Sequence, residues 1–400
     1  MVQTKHDLKD ASQGFRVFVL THPFSDQTGQ TILANFIDYL VPICDDIYVA
    51  SGDFTYVSDK VHIFKNCSIK IDNFMPLWIY KQIKNQISNA CYLLINSNKF
   101  SIAVFFLGGR VQLLPLIMAK LLRKKTIVTA TGSSSGTTKG VYSKRILGKL
   151  GIISYLAQLF EFSCFSLCDQ VAVESPSAIS FLKLNRYSEK IVINGAMYID
   201  TSLFTVLKPI SERKNIVGFI GRLSREKGIL NFIEAIPLIL KQRNDVEFLI
   251  CGDGTLQSVI NTKIKASECE DNVHLVGWVS HNNLPHYLNE IKLLVLPSYS
   301  EGVPGVVQEA MACGTPVLAT LVGGIPDLIK DGLTGFSLGS NSPGEIALGV
   351  LRALDNVYLP NISRNSVNLI QENYTIDKMI LKCYNSFSEL SPTKAGLLDN

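Results

Sequence analysis

Four hundred residues, 47% hydrophobic and 18% charged, are more than one core usually supports and are incompatible with disorder, which needs few apolar residues and high net charge. Thirty-eight basic against 34 acidic residues leave a net charge of only +4, so a sequence-wide nucleic-acid footprint is excluded. Nine cysteines occur without a CxxC pair, which removes zinc-ribbon and thioredoxin-type chemistry.

Cys164 and Cys168, one helical turn apart without nearby histidines, read as a buried helix face. Unpaired thiols and a polar start without a secretory apolar region predict a cytosolic chain. The longest apolar stretch, 152–168, contains Gln158 and Glu161 and falls short of the roughly 20 residues that a membrane span needs.

In chain order, strands alternate with helices, twice over. Phe15–Leu20 reads as a buried strand, followed by a loop to Gly29 and a helix from about Gln30 to Leu40. Strands follow at Ile47–Ala50, Ile102–Leu107, Lys125–Thr129, Gln170–Glu174 and Ile191–Asn194, with helices at Val111–Leu122 and Leu147–Leu167. The polar stretch Thr205–Lys214 reads as a linker. The second half restarts with strands at Asn215–Ile220, Glu247–Cys251, Val273–Val276, Leu293–Leu296 and Pro316–Ala319. Helices are predicted at Gly228–Gln242, Leu284–Asn289, Gly305–Ala312, Ile325–Lys330 and Thr375–Leu390. This alternation implies two doubly wound parallel sheets, whose ligands bind in the loops beyond the carboxyl ends of the strands.

Two of those loops carry chemistry. Between Gly221 and Gly228 stand Arg222 and Lys227, a planar fork and a point charge suited to phosphate oxygens. The glycines there do not form GxGxxG, so a dinucleotide fingerprint is absent. Further on, Glu301 and Glu309 stand eight residues apart across a Gly/Pro-rich turn. The helix beginning at Gly305, Val306 and Val307 is expected to present unpaired N–H groups to an anion. Glu309, one turn inside, suits a ribose diol, and Glu301 suits a sugar hydroxyl or a developing positive charge.

With these residues in view, GRLSREKG, CGDG, HLVGWV, PSYSEGVPGVVQEAMACGTPVLAT and GGIPDLIKDGLTGF resemble the retaining glycosyltransferases of family 4 and their E-x7-E motif. The resemblance is strong over 215–340 and loose before it. It implies an α/β GT-B fold of two Rossmann-like domains facing across a cleft. The boundaries expected are 1–205 for an acceptor-binding domain, 206–374 for a donor-binding domain, and 375–400 for a helix returning to the first. It also implies a nucleotide-sugar donor, UDP- or GDP-linked, a glycan or lipid-linked acceptor, retention of anomeric configuration, and neither metal nor cofactor. Position by position, Arg222 and Lys227 fall on the diphosphate clamp, Glu301 beside the donor sugar and Glu309 on the ribose. Gly305, Val306 and Val307 fall on the turn meeting sugar and phosphate. Gly221 and Gly252 line the donor site, with Val279 at the base pocket. No Asp-x-Asp occurs in the chain, so fixed cations would stand where a divalent metal often does.

In the first half, Gly29 is the candidate for close approach to donor phosphate, and His22 for the acceptor side. Ser133 and Ser134, in a hydroxyl-rich loop, are also placed on the acceptor side. The chain departs from the family pattern at Ala130-Thr131-Gly132, where many relatives carry a histidine. Lys139, Lys144, Arg145 and Lys149 precede an apolar helix stripe, Ile146, Leu150, Ile153 and Ala157. That stripe reads first as core and otherwise as a contact with an anionic membrane at the inner face of the cell. Besides a transferase, two readings stay open: a catalytically silent nucleotide-sugar-binding subunit, or a nucleotide-sugar epimerase of the same fold.

Overall fold

The computed structural model describes residues 14–22, 27–66, 75–108, 111–130, 158–194 and 198–390. They divide into two compact units. The first holds the described parts of 1–175, 182–198 and 376–400; the second holds 176–181 and 199–375.

The first unit is a seven-stranded parallel sheet. Its strands are β1 (Phe15–Leu20), β2 (Cys44–Ser51), β3 (Val61–Lys65), β4 (Ile102–Phe105), β5 (Lys125–Ala130), β6 (Gln170–Val173) and β7 (Ile191–Ile193). Their order is β3-β2-β1-β4-β5-β6-β7. Val17, Phe18, Val19 and Leu20 are fully buried, as expected of a strand covered on both faces. Among the described residues, α1 (Gln27–Leu40), α2 (Met75–Ile95), α3 (Leu113–Leu121) and α4 over 158–167 belong to this unit. Right-handed crossovers place α2 and α3 side by side on one face, where they pack on each other.

The second unit is a six-stranded parallel sheet. Its strands are β8 (Ile216–Ile220), β9 (Glu247–Cys251), β10 (Val273–Gly277), β11 (Leu293–Leu296), β12 (Val317–Thr320) and β13 (Phe336–Leu338), in the order β10-β9-β8-β11-β12-β13. Its helices are α5 (Pro176–Phe181), α6 (Ile229–Leu240), α7 (Gln257–Ala266), α8 (Leu284–Glu290), α9 (Gly305–Ala312), α10 (Ile325–Leu328), α11 (Pro343–Leu354) and α12 (Leu359–Asn373). The short α5 is tied to α10, because Asp327 accepts from the backbone N–H of Ser177 at 2.8 Å and from its hydroxyl at 2.9 Å. The last helix, α13 (Ile376–Leu390), belongs to the first unit and packs against α1. There the Ser386 hydroxyl donates to Gln170 Oε1 at 2.7 Å, and the Phe387 ring meets Phe15 edge-on at 5.4 Å.

Several expectations need correction. Helix α1 starts at Gln27, so Gly29 lies in a helical first turn and not in a loop. The polar stretch 205–214 is no loose linker, because Arg213 is 3% exposed inside the second unit. Its guanidinium donates to the carbonyls of Lys208, Leu288, Ile291 and Cys313 and to the side chains of Asn289 and Thr315. Burial pulls its pKa down to about 10, so it stays charged at neutral pH. Elements β3, α2, α5, α7, β13, α11 and α12 are additions to the expected order. The cysteine pair matches expectation: Cys164 and Cys168 are buried, and burial pushes their thiols up to about 12 and about 11.

Candidate functional site

In the second unit, five loops leave the carboxyl ends of β8, β9, β10, β11 and β12, and several of them interlock. Gly228 has φ +70°, and a Cβ there would overlap the carbonyl oxygen of Pro297; this seats the loop after β8 on the loop after β11. The Tyr299 N–H donates to the Glu226 carbonyl at 2.9 Å. Gly323, at φ +62°, packs so closely on the Glu301 carbonyl that a Cβ would overlap it, and the Gly324 N–H donates to the Gly302 carbonyl at 2.7 Å. Glycine is required at both positive-φ positions, since a side chain would meet backbone as well as strain.

This frame brings Lys227 and Glu301 together. Lys227 Nζ donates to both carboxylate oxygens, at 2.7 and 2.8 Å, and the Ser298 hydroxyl donates to Oε1 at 2.6 Å. Ser298 is held in turn, because its carbonyl accepts from the Thr320 hydroxyl at 2.5 Å. The Glu301 side chain is only 7% exposed and that of Lys227 23%. A pair this sheltered from water acts in a lower dielectric than a surface pair. Arg222 stands apart, its side chain 70% exposed and its Nη1 3.8 Å from Glu226 Oε1. Thus Lys227 is preset on a carboxylate, whereas Arg222 is held only at the surface.

Glu309 is the fifth residue of α9 and is buried. Its Oε1 meets His281 Nε2 at 2.9 Å, and the His281 ring lies 5.0 Å from that of Phe204. The second carboxylate oxygen, Oε2, takes no part in that bond. The Glu309 hydrogen bond raises the imidazole pKa above its ordinary 6.5, with charge from Glu309 and Asp200 adding to it. Sequence reasoning does not single out His281; a histidine four residues beyond Gly277, at the carboxyl end of β10, is its available signal.

Gly221 and Gly252 adjoin at the ends of β8 and β9. Gly252 has φ +143°, and a Cβ there would overlap the Gly221 carbonyl oxygen. Val279 is half-buried against the core of the second unit. Of the three N–H groups expected to be unpaired at the start of α9, that of Val307 already donates to the Pro304 carbonyl at 3.1 Å, as the first turn tightens into a 3₁₀-type bond. Only Gly305 and Val306 then keep the expected role. His22 lies in the first unit, its N–H donating to the Leu107 carbonyl at 2.9 Å and its Cβ packed near Gly108. Ser133, Ser134 and the 139–157 cluster lie outside the described residues.

Because the raised imidazole pKa belongs to the folded state, its stabilisation is fully present below about pH 6.5 and is lost as pH rises through the raised value. His281→Gln, which keeps a neutral hydrogen bond, is expected to lower the melting temperature by about 1–3 °C in acid. The gap closes in mildly alkaline buffer. A gap that is constant or grows with pH contradicts the charged pair.

Residues 206–368 match the family model for glycosyl transferases group 1. The matched segment contains Arg222, Lys227, Glu301 and Glu309. Among curated proteins, the chain is 27% identical over 197 residues to a 2-deoxystreptamine N-acetyl-D-glucosaminyltransferase of Niallia circulans, covering 49% of this chain and 50% of that one. It is 33% identical over 162 residues to an alpha-D-kanosaminyltransferase of Streptomyces kanamyceticus, covering 40% and 42%. The chain thus spans half or less of the length of these relatives. Among solved structures, Anabaena HepE in complex with UDP superposes with a TM-score of 0.71 at 18% identity, covering 94% of this chain and all of that one. Sucrose-phosphate synthase from Thermosynechococcus elongatus gives 0.73 at 18% identity, covering 94% and 99%. Such identities speak to fold alone, and the fold is that of the GT-B glycosyltransferases.

Proposed function

We propose that the chain is a retaining glycosyltransferase. It moves a hexose-type sugar from a UDP- or GDP-linked donor to a glycan or lipid-linked acceptor in surface polysaccharide or glycolipid synthesis, without a metal. The observation that carries this reading is that the Lys227–Glu301 pair, the Glu309–His281 pair and the start of α9 all stand beyond the carboxyl ends of the strands of the second sheet.

Breaking the bond between sugar C1 and the diphosphate oxygen builds negative charge on the leaving group. Lys227, Arg222 and the N–H groups of Gly305 and Val306 would stabilise that charge. Lys227 must then share its ammonium protons between phosphate and Glu301, which frees carboxylate capacity for a sugar hydroxyl. Glu309 Oε2 is available to a ribose diol while Oε1 stays on His281. An acceptor hydroxyl forms the new bond to C1 on the face the diphosphate leaves, and its proton passes to the departing phosphate oxygen. The group 1 match over these residues supports the reading, as does UDP in the crystal of the structurally similar HepE.

Thermal melting with UDP, GDP and ADP tests it. Saturation at about 100 times the dissociation constant adds about 2.7 kcal/mol, or about 5–10 °C for a domain of this size. One nucleotide is expected to give that shift, and Arg222→Ala to reduce it. No shift with any nucleotide contradicts the reading; a shift without sugar transfer favours the silent subunit.

A further inference from the structure

Helix α2 carries apolar residues on its outer as well as its inner face. Its buried face carries Asn85 and Asn89 beside Ala90 and Leu93, with Asn89 bridging Asn66 at 2.6 Å and Gln112 at 2.8 Å. Its outer face carries Tyr80, Ile83, Ile87 and Leu94 within a narrow arc, since positions three, four and seven apart share one side. Neighbouring α3 repeats the pattern with Leu114, Ile117 and Leu121. These seven side chains are between 39% and 73% exposed. The two stripes run side by side: the Leu114 N–H donates to Gln86 Oε1 at 3.1 Å, which sets Leu114 level with Ile83 and Ile87. A contiguous exposed apolar surface of this kind marks an interaction face.

Charge indicates what covers it. From Asn73 to Phe160 the sequence has twelve lysines and arginines and no aspartate or glutamate, leaving the rest of the chain net negative by eight. Lys84 stands exposed beside the apolar arc of α2, and Arg123 stands exposed just beyond Leu121. Neither α2 nor α3 carries an acid. Among the described residues no helix is long and apolar enough to cross a membrane. An apolar stripe flanked by exposed Lys84 and Arg123, on two helices whose own residues include no acid, matches a surface whose interior is hydrocarbon and whose edge is phosphate. A protein partner would have to supply acids around an apolar centre, whereas an anionic bilayer supplies both everywhere.

We propose that the α2–α3 face docks on an anionic phospholipid bilayer, with Ile83, Ile87, Leu94, Ile117 and Leu121 entering the headgroup–acyl boundary and Lys84 and Arg123 meeting lipid phosphates. This proposal does not depend on the transferase reading.

Flotation of the full chain with vesicles of phosphatidylcholine, with and without phosphatidylglycerol, tests it. The chain is expected to float with the phosphatidylglycerol vesicles and not with phosphatidylcholine alone. Paired Lys84→Glu and Arg123→Glu substitutions should weaken association at least about tenfold. Paired Ile87→Glu and Leu121→Glu should abolish it, with melting temperature and nucleotide response unchanged because all four side chains face outward. Equal binding to both vesicles, no binding, or survival of binding in the paired Ile87→Glu and Leu121→Glu chain overturns the proposal. So does a dimer dispersed by that pair without any vesicle association, which would assign the face to a second copy.

Discussion

Lys227→Ala and Glu301→Gln are each expected to lower sugar transfer by about 10²–10³, the usual loss when one preorganised charge partner of a developing ion is removed. The two losses should differ in kind. Lys227 would touch the diphosphate in both donor and product, so its loss should weaken nucleotide binding as well as turnover. Glu301 would touch the sugar, and glutamine keeps its shape while giving up the charge. Glu301→Gln should therefore spare nucleotide affinity and depress kcat. Ser298 donates to the same carboxylate at 2.6 Å, so the amide must also turn its oxygen toward that hydroxyl. Steady-state kinetics with a nucleotide titration separates the cases. Full turnover in Glu301→Gln would remove that residue from the reacting centre.

The largest expected loss of stability is at Arg213, away from the phosphate loops. Arg213 precedes β8, and its Nη1 and Nη2 donate to Leu288 and Cys313 carbonyls at the carboxyl ends of α8 and α9. A cation there also complements the negative ends of two helix dipoles. Arg213→Ala strands several buried acceptors, each costing about 1–3 kcal/mol, and is expected to remove about 3–5 kcal/mol in all. That corresponds to a melting temperature about 6–15 °C lower. Arg213→Lys keeps the charge without the fork and should fall between. Wild-type melting in Arg213→Ala would show that those carbonyls find other partners.

Much of the architecture is legible because parallel strands buried on both faces, such as Phe15–Leu20 and Leu293–Leu296, read as continuous apolar runs. The glycine frame is legible only in part: Gly228 bounds a loop in the sequence, but the close approach of Pro297 to it and of Glu301 to Gly323 shows only in the fold. Helix α2 escapes such a reading because Asn85 and Asn89 share its buried face with Ala90 and Leu93 while Ile83, Ile87 and Leu94 lie outside, so its apolar period marks no single face. Helix α11 has a visible start, Ser342 followed three residues later by Glu345, whose N–H donates to the Ser342 hydroxyl. The role of Arg213 is invisible, because a lone arginine in a polar stretch carries no mark of burial until Leu288 and Cys313 converge on it. His281 likewise lies 28 residues from Glu309, a separation that no local spacing reveals.

The second-unit loops are proposed to hold a nucleotide sugar for transfer with retention. Proton NMR of the donor whose nucleotide raises the melting temperature, incubated with the protein, tests that most directly. The predicted result is release of nucleoside diphosphate with the transferred or hydrolysed sugar first appearing in the donor's own anomeric configuration, and loss of that signal in Glu301→Gln. First appearance of the opposite anomer, or release that survives both Lys227→Ala and Glu301→Gln, would contradict it.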